Sequence, residues 1–281
     1  MSAGGGQPIN LTSSIPYPVF VESDDHPMIP DSYGSAGWTE DDRFFLVYDK
    51  HDVWAVDPTG EEAPRNVTEG VGRRENLRFR YVRVDPDEEF ILGEDPILMS
   101  AFDMDSKDAG FYRDRVSGTR EPELLIMAPK SFGRGYYGPS VTQAEDAEVY
   151  LFTQQSFREF PDLWVSNLEF GNLRKVSDAN PQMADYRWGT AELTHWQSTD
   201  GRPVSGLLFK PDGFDPSTKY PMMVYFYETN SDGLHSFRRP FGGGSSVSVS
   251  FYVSRGYVVF IPDIHYRDGY PGESAFDCVV P

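Results

Sequence analysis

The sequence has one cysteine, Cys278, so it can form no intramolecular disulfide and no cysteine-based zinc site. Beside Val279 and Val280 that cysteine reads as a small buried hydrophobe. Lysine is scarce, confined to Lys50, Lys107, Lys130, Lys175, Lys210 and Lys219. Asp and Glu together number 44 against 25 Lys and Arg, a net charge of −19. Nucleic acid and anionic membrane would repel such a chain, so neither is an expected partner. An acidic, lysine-poor surface fits an ordinary soluble protein, with salt adaptation as the alternative. No apolar run approaches the roughly 20 residues that span a bilayer. The start, Met1-Ser2-Ala3-Gly4-Gly5-Gly6, has neither the basic region nor the apolar stretch of a signal peptide. Cytoplasm and periplasm both stay open on this reading, and no oligomeric state is assigned.

Against these absences, the 281 residues hold 39% hydrophobic and 15% aromatic side chains, enough for a packed core. The 26 Gly and 22 Pro supply the turns that many short strands need. Residues 1–36 are Gly/Ser/Pro-rich without periodicity and read as loop or a partial blade. A unit then recurs. Phe44-Phe45-Leu46-Val47-Tyr48-Asp49 is a strand, followed by Asp52-Val53-Trp54-Ala55-Val56, a turn at Asp57-Pro58-Thr59-Gly60, and Asn66-Val67-Thr68. Later, Glu148-Val149-Tyr150-Leu151-Phe152-Thr153 precedes Asp162-Leu163-Trp164-Val165-Ser166 and Lys175-Val176-Ser177. Between them Pro96 to Ala101 precedes Gly110-Phe111-Tyr112-Arg113. Trp54, Tyr112 and Trp164 therefore recur near the roughly 40–50-residue period of a four-stranded propeller blade with its loops. One such sheet cannot bury its faces alone, whereas stacked sheets can. About three blades are legible across 37–188, too few to close a ring, so the reading expects more upstream. An open β-sandwich with unrelated repeats is the alternative.

Near residue 188 the pattern changes. Ala191 to Trp196 and Val204 to Phe209 form a hairpin across the turn Ser198-Thr199-Asp200-Gly201. Pro221-Met222-Met223-Val224-Tyr225-Phe226-Tyr227 and Gly256 to Asp263 read as strands buried on both faces. Residues 245–254 between them suggest a short helix. A hairpin followed by apolar strands and a crossover is the opening of a mostly parallel α/β sheet.

These segments resemble the prolyl oligopeptidase family of serine peptidases (peptidase family S9), which join a β-propeller to an α/β-hydrolase domain. The resemblance is carried by Asp200 to Pro211, by Lys219 to Tyr227 and by Arg255 to Asp263. Asp162-Leu163-Trp164 and Asn180-Pro181-Gln182 resemble the last blade and its exit. The fold class it implies is an incomplete β-propeller followed by the N-terminal part of an α/β-hydrolase domain, over residues 189–281. In that family a serine in a G-x-S-x-G turn attacks the peptide carbonyl, with a histidine base and an orienting aspartate. This sequence contains no G-x-S-x-G; Gly34-Ser35-Ala36-Gly37 comes nearest and sits in the wrong domain. Since the chain order is Ser, Asp, His, the resemblance places all three beyond Pro281. It also implies that Tyr227, just after the third hydrolase strand, is an oxyanion donor. Family members follow this tyrosine with two glycines, whereas Glu228-Thr229-Asn230 follow here. A packed strand-end aromatic is the other reading of Tyr227.

The remaining candidates are weaker. His195, beside Trp196 in a strand, reads as structural, and His235 in a polar loop is out of triad order. Arg267 follows the fourth strand, at the edge where α/β sheets bind ligands, and is a candidate substrate contact. Pairing with Asp263 or Asp268 is the competing expectation. Asp103-Met104-Asp105-Ser106-Lys107-Asp108 fails as a calcium loop, with Lys107 where a ligand belongs and no turn glycine. Gly242-Gly243-Gly244-Ser245-Ser246 has no lysine and fails as a P-loop. Asn10-Leu11-Thr12 and Asn66-Val67-Thr68 match glycosylation sequons. No metal and no cofactor is expected. The leading expectation is a serine peptidase of short peptides whose triad this chain lacks, leaving the 281 residues inactive alone. A non-catalytic propeller-based binding module or decayed remnant is one alternative; an esterase or acylaminoacyl-peptidase on the same scaffold is another.

Overall fold

The computed structural model describes residues 7–133, 140–242, 244 and 246–281. The Met1–Gly6 start, and Gly243 and Ser245 of the glycine-rich stretch, lie outside the described residues. The chain divides into two compact units. The first takes residues up to 24, 28–105 and 110–127; the second takes 25–27, 106–109 and 128–281.

In the first unit, β1 (Ser35–Trp38), β2 (Phe45–Tyr48), β3 (Val53–Val56) and β4 (Arg65–Asn66) form an antiparallel meander in sequence order. A single helical turn, α1 (Val71–Arg74), leads to the next sheet. That sheet is β5 (Leu77–Val82), β6 (Ile97–Asp103), β7 (Ala109–Asp114) and β8 (Glu123–Ala128), again in sequence order. Alternation decides which side chains go inward. In β5, Leu77 and Phe79 are buried while Arg78 and Arg80 point the other way. Leu46, Val53, Ala55, Val67, Phe79, Met99 and Tyr112 join in one apolar cluster.

The second unit opens with β9 (Ser131–Phe132), β10 (Val141–Gln143), β11 (Val149–Ser156), β12 (Glu159–Asn167) and β13 (Arg174–Lys175). Strands β10 to β13 neighbour one another in order, and β9 pairs with β11. A mixed sheet follows, made of β14 (Thr190–Gln197), β15 (Pro203–Lys210), β16 (Met222–Val224) and β17 (Val258–Pro262). Its order is β14-β15-β17-β16. Helices α2 (Val249–Val253) and α3 (Pro271–Val279) flank β17 in sequence. Phe157, Trp188, Leu207, Phe209, Val253, Val259 and Ile261 form its main core. Cys278, fully buried, packs with Val204 and Ile264 in a smaller one, as expected of a lone thiol.

The recurrent strand pairs fall where the sequence puts them, and the structure adds a chemical reason for the repeat. Asp52 precedes β3, and its buried carboxylate accepts from the Thr68 hydroxyl at 2.7 Å. Asp162 stands in the same place before Leu163-Trp164 and accepts from the Ser177 hydroxyl at 2.6 Å. In both sheets that hydroxyl also accepts the amide of the residue after the aspartate, Val53 or Leu163. The backbone repeats too: Val67 N donates to Val53 O and Val176 N to Leu163 O, each at 2.8 Å. An aspartate thus ties the third strand of each sheet to the segment beyond its fourth. The middle sheet has Gly110 at that position. A Cβ there would lie 1.9 Å from the Ile126 carbonyl oxygen, so close strand approach excludes any side chain.

Two expectations fail in the mixed sheet. Residues 221–227 are not a strand buried on both faces. Only Met222–Val224 is strand, and Met222, Val224, Phe226 and Tyr227 are exposed. The order β14-β15-β17-β16 leaves β16 at an edge with one neighbour, so only Met223 and Tyr225 reach the core. Nor is the sheet mostly parallel: β14–β15 and β15–β17 are antiparallel, and only β16–β17 is parallel. The parallel pair is the one joined by the crossover through α2. Strand β17 is buried as expected, because it lies between β15 and β16.

Candidate functional site

The carboxyl ends of β16 and β17 bring together the residues the sequence singles out. Past β16 the chain bends at Tyr227 and Glu228. None of Glu228, Thr229 and Asn230 adopts a positive φ, so the segment runs without the glycines of the family pattern. Its turn is held from β17: the buried carboxylate of Asp263 accepts the amides of Asn230 (2.5 Å) and Ser231 (2.9 Å). Two charge-assisted bonds from one carboxylate fix where Tyr227 leaves the sheet. Sequence reasoning offered Asp263 only as a partner of Arg267 and missed this role; two backbone donors leave no signature in residue type.

Tyr227 is 69% exposed. Its carbonyl accepts from the Tyr266 hydroxyl. Its own hydroxyl makes no hydrogen bond among the described residues. Tyr266 in turn has its amide held by Asp25 Oδ2 at 2.7 Å. Burial raises the Tyr266 phenol above its ordinary range, and the nearby Glu228 and Asp25 carboxylates add to the rise. Tyr266 thus stays protonated and donates. His26 lies 3.4 Å from Glu228, so the short segment 25–27 meets this edge through both side chains.

Arg267 does not pair with Asp263 or Asp268. Its guanidinium is 3.0 Å from Asp277 and 3.6 Å from Glu273, both on α3. Its amide donates to Ser274 Oγ at 3.0 Å. The helix that follows the loop supplies the acids, one or two turns on, while Asp263 is already engaged by the turn after β16. His195 shares a 3.0 Å contact with Ser205 Oγ on the neighbouring strand. His235 sits 3.2 Å from Asp108. Desolvation lowers its pKa, against the pull of Asp108 in the other direction. Lys107, the residue that spoils the calcium loop, reaches Asp232 at 3.0 Å. The sequon residue Asn66 has its side-chain oxygen engaged by the Gly70 amide at 3.2 Å.

A separate cavity of about 350 Å³ opens beside β12, lined by Phe160, Trp164, Tyr186 and Trp188 among others. Its charged groups are already matched, Lys175 with Asp162 and Asp178, and Arg158 with Asp212. No helix among the described residues is long and apolar enough to cross a membrane.

Sequential meanders followed by a mixed sheet with its third and fourth strands exchanged make a fold that is similar to that of solved peptidases. No family model matches the sequence. Solved structures do match. Dipeptidyl peptidase 4 of Porphyromonas gingivalis superposes with a TM-score of 0.55 at 16% identity, over 84% of this chain and 33% of its own. A post-proline cleaving enzyme of Rickettsia typhi gives 0.52 at 14% identity, over 84% of this chain and 33% of its own. An acylaminoacyl peptidase of Pyrococcus horikoshii gives 0.50 at 10% identity, over 90% and 38%. At such identities the likeness is one of fold. The chain spans about a third of the length of these structures.

Proposed function

We propose that this chain is the propeller-to-hydrolase portion of a serine peptidase acting on short peptides, with residues 37–188 as propeller blades and 189–281 as the start of the hydrolase domain. The observation that carries the reading is the strand order β14-β15-β17-β16, with Tyr227 at the carboxyl end of its only parallel pair. An exposed phenol with an unengaged hydroxyl, on a turn pinned by Asp263, suits a preorganised donor to a developing oxyanion. Such a donor is worth about 3 kcal/mol to the barrier. In this reading Arg267 is a secondary contact, reaching a substrate carbonyl only by leaving Asp277. A propeller that restricts access to the cleft, as the family resemblance implies, would favour peptides over folded proteins.

The sequence holds no G-x-S-x-G, so the 281 residues alone are expected to hydrolyse nothing. Purified chain assayed on proline-containing and acylated dipeptide substrates should be silent. Turnover that survives a serine-directed inhibitor would overturn the reading. Sequencing the transcript past the codon for Pro281 tests the other half. An open frame reaching G-x-S-x-G within roughly 40 residues, then Asp and His, supports the peptidase. A stop codon there favours the non-catalytic binding module.

A further inference from the structure

The segment after the turn at Asn230 half-buries a cation without giving it an anion among the described residues. Phe237 is pinned on both sides of its backbone and ring. Its amide donates to Gln155 Oε1 at 3.2 Å, and its ring stacks on Trp188 at 5.2 Å with an 8° interplanar angle. The next residue, Arg238, is thereby turned against the core. Its guanidinium carbon lies 5.5 Å from the ring centre of the fully buried Phe209. Gly233 makes the room, since a Cβ there would come within 2.9 Å of an Arg238 terminal nitrogen. The buried Nε has no hydrogen-bond partner. Among the described residues, no carboxylate or carbonyl accepts from the other guanidinium nitrogens either.

The contrast with Arg80 shows how unusual this is. Arg80 is also half-buried, and it donates to the carbonyls of Phe79 (2.6 Å) and Asp49 (3.2 Å) while resting over Tyr48. A chain with 44 acids and 25 bases has carboxylates to spare, yet none is placed at Arg238. A guanidinium partly withdrawn from water, with its buried Nε unpartnered, gains from an anion, and a ring face compensates only part of what the Nε has lost.

We propose that Arg238 is the receptor of a carboxylate ligand. A planar guanidinium offers two parallel N–H donors that match a carboxylate in charge and shape. Phosphate, with nearly two charges, asks for more donors than one guanidinium supplies. The carboxylate belongs either to a small organic acid or to a peptide chain end, and the proposal holds whether or not the chain is part of a peptidase.

The test is calorimetric titration of the full chain with sodium acetate, trialanine and trialanine amide, at constant ionic strength with chloride as the balancing anion. Saturable binding of acetate or trialanine, at least tenfold weaker in R238K and absent in R238M, is the expected result. Tighter binding of trialanine than acetate assigns the carboxylate to a peptide end; equal binding assigns it to small acids. Equal affinity for the amide, or no saturable binding by any of the three, overturns the proposal. Should R238M not fold, NMR of the wild-type chain decides. The Nε–H resonance lost in R238K must shift on acetate addition, and an unmoved resonance refutes the assignment.

Discussion

At the scale of single residues, buried acids set what the first unit tolerates. Asp114 closes β7 with Oδ1 accepting the Arg115 amide at 2.8 Å and a buried Oδ2 without any partner. Burial raises its carboxyl from 3.8 to about 6, with Glu69 adding to the rise and the Arg115 amide and Arg65 opposing it. The folded value exceeds the unfolded one, so ionisation is penalised in the fold. Stability is lost as pH rises from about 4 through 6 and stays lost above. Asp114→Asn should therefore stabilise the protein by about 1 kcal/mol at pH 7.5 and by nothing near pH 4. Thermal melts at the two pH values check this, and an equal shift at both would refute it. Asp162 titrates the other way. Burial pushes its carboxyl up, but donors from Lys175, Ser177 and the Ala179 amide together bring it below its ordinary value. Asp162→Ala should cost about 2 kcal/mol at neutral pH, read as a lower denaturation midpoint with unchanged slope.

At the scale of elements, the sequence disclosed strands by two signals and hid them where neither operates. Alternation and the recurrent aromatic, at Trp54, Tyr112 and Trp164, located β2, β3, β6, β7, β11 and β12. Strand β5 escaped notice although Leu77, Phe79 and Tyr81 alternate with arginines, because it has no copy of the repeat. Strand β16 was misjudged for a different reason: an apolar run states that burial is available, and the neighbour on its far side decides whether it happens. Tyr227 was singled out only through the family resemblance, by its place after that strand, and its role as a donor is a proposal. Asp263, which positions it, and Arg238, which faces the core, were not legible, since both act through partners distant in sequence. Two outcomes belong here. Gly110→Ala should destabilise by about 3 kcal/mol, because the obstacle is backbone and cannot rotate away. Val224→Lys on the exposed edge should leave the melting temperature within a degree or two and reduce light scattering on concentration. A large loss of stability instead would mean that β16 is not the edge.

At the scale of the whole molecule, charge is the dominant feature. With a net charge of −19 and an isoelectric point near 4.6, like charges repel across the surface at neutral pH. Many exposed ion pairs, such as Arg113 with Glu123 and Arg202 with Asp200, offset little of that. Raising salt from about 0.02 M to 0.5 M shortens the screening length several-fold, and the melting temperature should rise by a few degrees. A fall would show that the individual pairs outweigh the net repulsion.

The aspartate ties of the first and third sheets bear on how such a chain came to be. Each tie is internal to one sheet, drawing both its acid and its hydroxyl from the same stretch of about sixteen residues. A duplicated gene segment would carry the tie along intact, with no need to coevolve with the sheet it lands beside. The middle sheet could not receive such a tie as it stands, since the approach of β8 to Gly110 leaves no space for an acid there.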